Sequence, residues 1–112
     1  MTEFVEKKYV KKNSIEKRDY QINLATQAIK ENCIVVLPTG LGKTAVALHV
    51  IAEYLAKGTG GVLFLAPTRV LVNQHYEFLK NNLTLDDISL ITGEDPIAKR
   101  TKLWNSSIIC AT

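Results

Sequence analysis

The sequence predicts an α/β fold, a parallel sheet flanked by helices, and three observations support it. Short apolar runs alternate with amphipathic segments, the joins between them are short, and one run leads through a glycine-rich loop into a helical pattern. Strand–helix–strand units of this kind require parallel strands with right-handed crossovers. Ligands of such sheets bind beyond the carboxyl ends of the strands, so functional residues are expected there.

The first half of the chain has four predicted segments. Residues 1–16 form a charged N-terminal arm, and a helix runs from Arg18 to about Glu31 on the spacing of its apolar residues. The run "CIVVLP" at 33–38 is short, apolar and rich in β-branched residues, which is typical of a strand covered on both faces. A second helix follows from Ala45 to Lys57, with Gly58 as its stop signal.

The second half predicts three further strands and two helices. The strands are "GVLFLAP", "ISLIT" and "SIICAT". The first intervening helix is capped by Thr68 and has Leu71, His75 and Phe78 on one face. The next has Asp95 as N-cap and Pro96 at its first position, and it ends near Trp104, which we expect in the core.

Bulk properties narrow the class of protein. The 112 residues carry a net charge of only +3, too weak to indicate nucleic-acid binding by itself. No apolar run could span a bilayer, so we expect no membrane partner and a cytoplasmic protein. Cys33 and Cys110 lack metal-ligand spacing and are predicted to be reduced thiols in buried strands.

The loop "LPTGLGKT" carries the strongest chemical signal. Glycines in such a loop let successive N–H groups point inward, and the following helix adds its dipole. Lys43 would contact the terminal phosphates of a nucleotide, and the Thr44 hydroxyl would bind the accompanying Mg²⁺. The predicted cofactor-binding residues of the loop are Leu37, Pro38, Thr39, Gly40, Leu41, Gly42, Lys43 and Thr44, with Lys43 and Thr44 also catalytic.

Leu37 stands where the general phosphate-loop pattern has its first glycine. The form "PTGxGKT" resembles the variant found in superfamily 2 helicases and translocases, in which Gly40 would supply the flexibility instead. "RDYQ" is similar to that superfamily's adenine-reading motif, which implies that Arg18 and Gln21 contact ATP. A glutamine amide can pair with both N6 and N7 of adenine.

Three later motifs also resemble this superfamily. They are "APTRVLVNQH", "ITGE" and "IICAT", and the resemblance implies contacts of the first with a nucleic-acid backbone through Pro67, Thr68 and Arg69. It implies the same for Thr92, Gly93 and Thr112. Residues 13–112 look most like the N-terminal RecA-like domain of the archaeal Hef and Fanconi-anaemia M group. The implied function is ATP-driven action on forked or branched DNA, in repair and replication-fork processing.

We expect the sequence to hold only a part of that domain. No "DExx" motif occurs, although its acidic pair holds Mg²⁺ and orients the attacking water in this superfamily. Residues 17–112 are therefore interpreted as the N-terminal portion of helicase domain 1, unable alone to hydrolyse ATP. A second RecA-like domain, and a nuclease domain in some members, would complete the parent protein. Without the acidic strand, apolar sheet edges should be exposed.

Two alternatives stay open at this point. An RNA helicase or RNA-sensing ATPase of the same superfamily would share all these motifs. A small phosphate-loop module or kinase without a polymer substrate would leave "RDYQ" and "APTR" unexplained. Lys99, Arg100 and Lys102 are expected on a solvated face, and His49 and His75 are expected to pack rather than to bind ligands.

Overall fold

A computed structural model describes residues 2–58 and 60–112. These residues divide into two compact units, within Met1–Gly58 and Thr59–Thr112. No helix in the described residues is long and apolar enough to cross a membrane. The same residues contain no cluster of three or more side chains suited to holding a metal ion.

The first unit contains two helices that pack against each other, α1 (Asp19–Lys30) and α2 (Lys43–Lys57). The Arg18 carbonyl starts α1 by accepting hydrogen bonds from the amides of Gln21 and Ile22, at 3.1 and 3.2 Å. The α2 helix ends at Gly58, whose left-handed backbone (φ +68°) suits glycine. The buried apolar residues of the pair are Ala25, Val46, Leu48, Ile51 and Ala52.

The N-terminal segment packs despite its charge. Val5, Val10 and Ile15 are buried, and the Val5 amide donates to the Ile15 carbonyl at 2.8 Å. Lys7 Nζ lies 3.1 Å from Nδ1 of His49, a residue of α2. His49 is fully buried, as expected for a packing residue. The apolar residues of this segment are thus buried, which its charge pattern alone did not predict.

The prediction of a buried strand at 33–38 was wrong. This segment forms no strand, and Ile34 and Val36 are 91% and 84% exposed. Cys33 is also exposed rather than buried. A strand requires a neighbour to receive its backbone hydrogen bonds, and apolar composition cannot supply that neighbour.

The second unit is built on a parallel sheet of three strands. They are β1 (Val62–Leu65), β2 (Ile88–Ile91) and β3 (Ile108–Ala111), in the order β1–β3–β2. Leu65 and Ile91 both align with Ala111, so the three strands end at the same level. The parallel α/β arrangement predicted from the sequence is confirmed by this sheet.

Two helices cover the sheet, α3 (Arg69–Asn82) and α4 (Ile97–Leu103). Leu103 of α4 packs on Ile91, Ile109 and Ala111. The β1 residues aligned with Ile109 and Ala111 are Leu63 and Leu65, and both are exposed, so β1 is only half-buried rather than fully buried as predicted. It lies at an edge of the sheet, where coverage is incomplete.

The α3 helix packs by a different set of residues from the one predicted. Val72 and Leu79 are its buried residues, whereas Leu71 is exposed. The His75 ring lies 5.0 Å from the Phe64 ring, between centroids, which confirms that it packs. The predicted cap is present, since the Leu71 amide donates to Thr68 Oγ1 at 3.2 Å.

The start and end of α4 differ from the prediction. Pro96, not Asp95, is the N-cap, and the helix begins at Ile97. The Asp95 carboxylate instead accepts from the Thr92 amide at 2.8 Å, which holds the preceding turn. Trp104 is 53% exposed, so it is not a core residue. Cys110 is buried as predicted, and burial raises the pKa of its thiol to about 11.

Candidate nucleotide and nucleic-acid sites

The glycine-rich loop of the first unit is turned at both of its glycines. Gly40 and Gly42 both have positive φ angles, +89° and +81°, a region that side chains with a Cβ rarely adopt. The Leu41 amide closes a turn by donating to the Pro38 carbonyl at 3.3 Å. The departure at Leu37 therefore leaves a turned loop, with Gly40 in the conformation expected for its role.

Two side chains from the first turn of α1 hold this loop. The Tyr20 hydroxyl and the Gln21 amide nitrogen both donate to the Leu41 carbonyl, at 2.9 and 3.1 Å. Gln21 is only 4% exposed. A Cβ on Gly42 would lie 2.3 Å from Gln21 Nε2, so this contact requires glycine there. The sequence pointed to Gln21, but its motif gave no sign of the hydroxyl contact from Tyr20.

The loop leads directly into the start of α2. The first helical backbone donors are the amides of Ala45 and Val46, which bond to the Gly42 carbonyl at 3.0 and 3.3 Å. The amides before them have no helical partner, and the helix dipole makes this terminus positive. Lys43 and Thr44 are the first two helical residues. Backbone amides, a cation and a hydroxyl at one terminus fit a nucleotide polyphosphate with Mg²⁺.

The predicted adenine-contacting residues are placed differently from each other. Gln21 lies against the loop, whereas the Arg18 guanidinium pairs with Glu16 at 2.8 Å. An amide nitrogen carries two N–H groups. The hydrogen bond to the Leu41 carbonyl therefore uses one of the two N–H groups of Gln21. The structure gives Arg18 no comparable approach to the loop among its described contacts.

The second unit brings the predicted nucleic-acid residues to one edge of its sheet. Pro67, Thr68 and Arg69 follow β1, Thr92 and Gly93 follow β2, and Thr112 follows β3. Because the strands are parallel and end at the same level, these residues share the carboxyl edge. A Cβ on Gly93 would meet no atom within 4 Å, which leaves room for a ligand beside the backbone.

Two shallow cavities meet at Thr92. One of about 360 Å³ is lined by Arg69, Val70, Asn73, Leu90, Thr92 and Glu94. The other, of about 330 Å³, is lined by Leu63, Leu65, Ile91, Thr92, Gly93, Arg100, Trp104, Ala111 and Thr112. Four of the six predicted residues thus line these two cavities, namely Arg69, Thr92, Gly93 and Thr112. Thr68 is the N-cap of the helix that carries Arg69.

Charged side chains at this edge form contacts that the sequence reasoning missed. Arg69 Nη1 forms an ion pair with the Glu94 carboxylate. Arg100 donates to the carbonyls of Gly93 and Asp95, at 2.9 Å each. Arg100 is therefore half-buried and structural rather than part of a solvated basic face, while Lys99 and Lys102 are exposed. A cluster of basic residues on a short helix did not distinguish among the three.

The Thr92–Asp95 turn also fixes the charge of Asp95. The hydrogen bond from the Thr92 amide, with further help from Lys99 and Arg100, holds the pKa of the Asp95 carboxyl below its usual value. Asp95 therefore stays ionised through neutral pH. Its carboxylate is committed to the turn, which leaves Glu94 as the acid that faces Arg69.

Comparison with known proteins identifies the family. The profile of the DEAD/DEAH box helicases matches residues 18–112, which include both the phosphate loop and the sheet edge. The chain belongs to the DEAD/DEAH box helicase family.

Particular members of the family are similar to this chain over most of its length. A Methanocaldococcus jannaschii protein, provisionally named an ATP-dependent RNA helicase, is 44% identical over 108 residues, 95% of this chain and 14% of its own. The DEAD-box ATP-dependent DNA helicase Fancm of Drosophila melanogaster is 38% identical over 97 residues, 84% of this chain and 6% of its own. The chain thus spans less than one sixth of either relative.

A solved structure agrees with these sequence relationships. The crystal structure of the Pyrococcus furiosus Hef helicase domain has a TM-score of 0.79 and 41% sequence identity to this helicase-family chain. The match covers 86% of this chain and 21% of that one. The RecA-like α/β fold and the resemblance to the Hef and Fanconi-anaemia M group are confirmed by these matches.

Proposed function

We propose that this chain is the ATP-binding part of an ATP-dependent DNA helicase or translocase that acts on forked or branched DNA. The observation that carries the proposal is the phosphate loop, turned at Gly40 and Gly42 and held at its Leu41 carbonyl by Tyr20 and Gln21. The names of similar proteins support DNA as the substrate, since Fancm and the fission-yeast Fml1 are both named DNA helicases. Repair of DNA at replication forks is the corresponding cellular process.

ATP would bind with its phosphates against the loop and the start of α2. Residues 37–44 would surround the phosphates, with backbone amides from every residue of the loop except Pro38, while Lys43 neutralises the phosphate charge and Thr44 binds Mg²⁺. Gln21 would read adenine with its remaining N–H and its carbonyl oxygen, and Arg18 would reach the nucleotide only after leaving Glu16. When bound, Mg²⁺ would supply charge stabilisation at the transferred phosphate.

A nucleic-acid backbone would follow the carboxyl edge of the sheet. Arg69 and the first amides of α3 form an anion-binding terminus, and Thr92 and Thr112 add hydroxyl groups beside it. Backbone contacts of this kind position a strand without reading its sequence. Backbone contacts at this edge would therefore suit an enzyme that moves along a nucleic-acid strand or recognises a branched structure.

Hydrolysis requires groups that this sequence does not contain. An acidic pair must bind Mg²⁺ and orient water, and no Asp-Glu sequence occurs in the 112 residues. We expect the chain alone to bind ATP weakly without turnover. A second RecA-like domain, and in some relatives a nuclease domain, would be the further parts of the natural protein.

The test is the ATPase rate of the full-length natural protein with forked DNA, with single-stranded RNA, and with neither. Forked DNA should stimulate the rate, and Lys43→Ala should abolish the stimulated activity. Losing the lysine removes a charge-assisted hydrogen bond of about 1.5–3 kcal/mol, which corresponds to roughly a tenfold or greater loss in ATP affinity. Steady-state hydrolysis by the 112-residue chain itself, abolished by Lys43→Ala, would contradict the expected inactivity of the fragment.

RNA is the second candidate substrate, because the Methanocaldococcus relative is named an RNA helicase. Stimulation by RNA alone would assign the protein to that branch and leave the nucleotide site unchanged. Absence of stimulation by either polymer would overturn the helicase proposal. Only the proposed nucleotide site would then remain.

A further inference from the structure

At the carboxyl edge of the sheet, Arg69 already forms an ion pair with a carboxylate of the same chain, that of Glu94. Arg69 is the first residue of α3, and its guanidinium meets the Glu94 carboxylate across the cavity that both residues line. A carboxylate and a phosphate oxygen make the same kind of charge-assisted hydrogen bond to a guanidinium. Glu94 therefore takes a position that a backbone phosphate would otherwise take.

The turn that carries Glu94 is fixed on both sides. Arg100 donates to the carbonyl of Gly93 and to that of Asp95, each at 2.9 Å. The Thr92 amide donates to the Asp95 carboxylate at 2.8 Å. The backbone before and after Glu94 is therefore held by side chains of the same unit. Glu94 is presented to Arg69 by a fixed turn.

The pair is weak enough to be displaced. The Arg69 and Glu94 side chains are 60% and 73% exposed, and an exposed ion pair is screened by water and salt. A polyanion that makes several contacts along the edge can replace Glu94 on Arg69. A ligand that offers a single phosphate has no such additional contacts and must compete with a carboxylate already in place.

We propose that Glu94 is a built-in competitor for Arg69 that weakens backbone binding at this edge and restricts it to extended phosphodiester chains. The inference rests on the proposed nucleic-acid function and adds a specificity-determining residue to it. Arg69 is neutralised by Glu94 before the ligand arrives. Binding then exchanges one anion for another at this position, and the neutral pair releases few of the counterions condensed on the strand.

The experiment measures the affinity of a fluorescent single-stranded oligonucleotide for the full chain at several salt concentrations. Glu94→Gln keeps the size of the side chain and removes its charge. It should tighten binding by about two- to fivefold at low salt, the range set by an exposed ion pair. The slope of log K against log salt should steepen by about 0.7, because Arg69 now releases a counterion from the single strand.

Glu77→Gln is the matched control. Glu77 is an exposed acid on the same helix, eight residues after Arg69, or about 12 Å along the axis. The substitution changes the net charge by the same amount without touching the pair. It should leave both the affinity and the slope close to those of the unmodified chain.

The Arg69→Ala variant separates the proposed role of Glu94 from the proposed backbone site at Arg69. Arg69→Ala should weaken binding, and adding Glu94→Gln to it should give no further tightening. If Glu94→Gln and Glu77→Gln change the affinity equally while Arg69→Ala still weakens binding, the competitor role of Glu94 is overturned and the backbone site is kept. If the oligonucleotide binds neither the chain nor its variants, or binds without loss in Arg69→Ala, the proposed backbone site itself is overturned and the inference fails with it.

Discussion

At the scale of single residues, Gly42 has the most constrained position in the nucleotide site. Its φ is +81°, and an added Cβ would lie 2.3 Å from Gln21 Nε2. Gly42→Ala should therefore strain the loop and displace Gln21 from the Leu41 carbonyl at the same time. We expect loss of ATP binding, measured by titration with a fluorescent ATP analogue.

Gly58→Ala provides the control for backbone strain alone. Gly58 lies at the other end of the same helix, with φ +68°, and an added Cβ there would meet no atom within 4 Å. It should lower the free energy of unfolding by about 1 kcal/mol while ATP binding persists. If Gly42→Ala binds ATP as well as Gly58→Ala does, the contact between Gln21 and the loop is not needed for nucleotide binding.

His49 makes the stability of the first unit depend on pH. Burial, and secondly the Lys7 ammonium, lower the pKa of His49 to about 4 from 6.5, against a smaller opposite effect of Glu53. The unfolded chain therefore binds more protons than the folded chain between these two values. The free energy of unfolding should be fully retained above pH 6.5 and should fall as the pH drops toward 4, by on the order of 2 kcal/mol.

Urea unfolding between pH 4.5 and 7.5 measures this loss. His49→Gln should flatten the pH dependence, even if it lowers stability at every pH. His75→Gln, which changes the histidine beside Phe64 in the other unit, should retain the slope. An unchanged slope in His49→Gln would show that other groups control the acid sensitivity.

At the scale of elements, local sequence signals predicted helices better than strands. Helices α1 and α2 lie within a few residues of their predicted limits, because periodicity and a stop signal such as Gly58 act within one segment. The Thr68 cap of α3 is likewise a local signal, and it is present as predicted. The strand predicted at 33–38 failed because strand formation depends on a neighbour distant in sequence. Asp95 illustrates a smaller error, since its carboxylate bonds back to Thr92 rather than forward into α4.

The candidate site shows the same division. The motif led us to expect Gln21 beside the loop and a turn at Gly40 and Gly42, and the structure has both features, while the roles of these residues in nucleotide binding stay predictions. The Tyr20 contact, the Arg69–Glu94 pair and the role of Arg100 were not readable. Those contacts depend on side-chain directions that only the folded turns define.

The exposed segment at 33–38 predicts how the chain behaves at high concentration. Ile34 and Val36 lie two residues apart and are 91% and 84% exposed, so this β-branched segment offers apolar surface for association between chains. Replacing both by threonine keeps β-branching and removes apolar surface. The solubility limit should rise, while the free energy of unfolding should stay within about 0.5 kcal/mol.

Light scattering against protein concentration tests this expectation. Val70→Thr is a suitable control, because Val70 is also exposed but lies on a helix that cannot pair edge to edge. Equal gains in solubility from the control and from the double variant would indicate a general effect of surface polarity. A marked loss of stability in the double variant would mean that the segment is packed in solution.

At the scale of the whole molecule, the residues proposed for the two ligands lie in different compact units. The phosphate loop and its two α1 donors belong to the first unit, and the carboxyl edge with Arg69, Thr92 and Thr112 belongs to the second. Ligand binding can be coupled between units only if each ligand changes groups outside its own site. The hydrogen bonds that Tyr20 and Gln21 donate to the loop are made within the first unit.

We therefore expect two separate footprints in amide hydrogen exchange. ATP with Mg²⁺ should slow exchange at Gly42, Lys43 and Thr44, whereas an oligonucleotide should slow exchange along residues 68–71 and 91–94. Lys43→Ala should remove the first footprint and leave the second, and Arg69→Ala should weaken the second and leave the first. If ATP alone altered exchange at residues 68–71 or 91–94, coupling between the two sites would already be present in these 112 residues. Such coupling would then need no domain beyond the described residues.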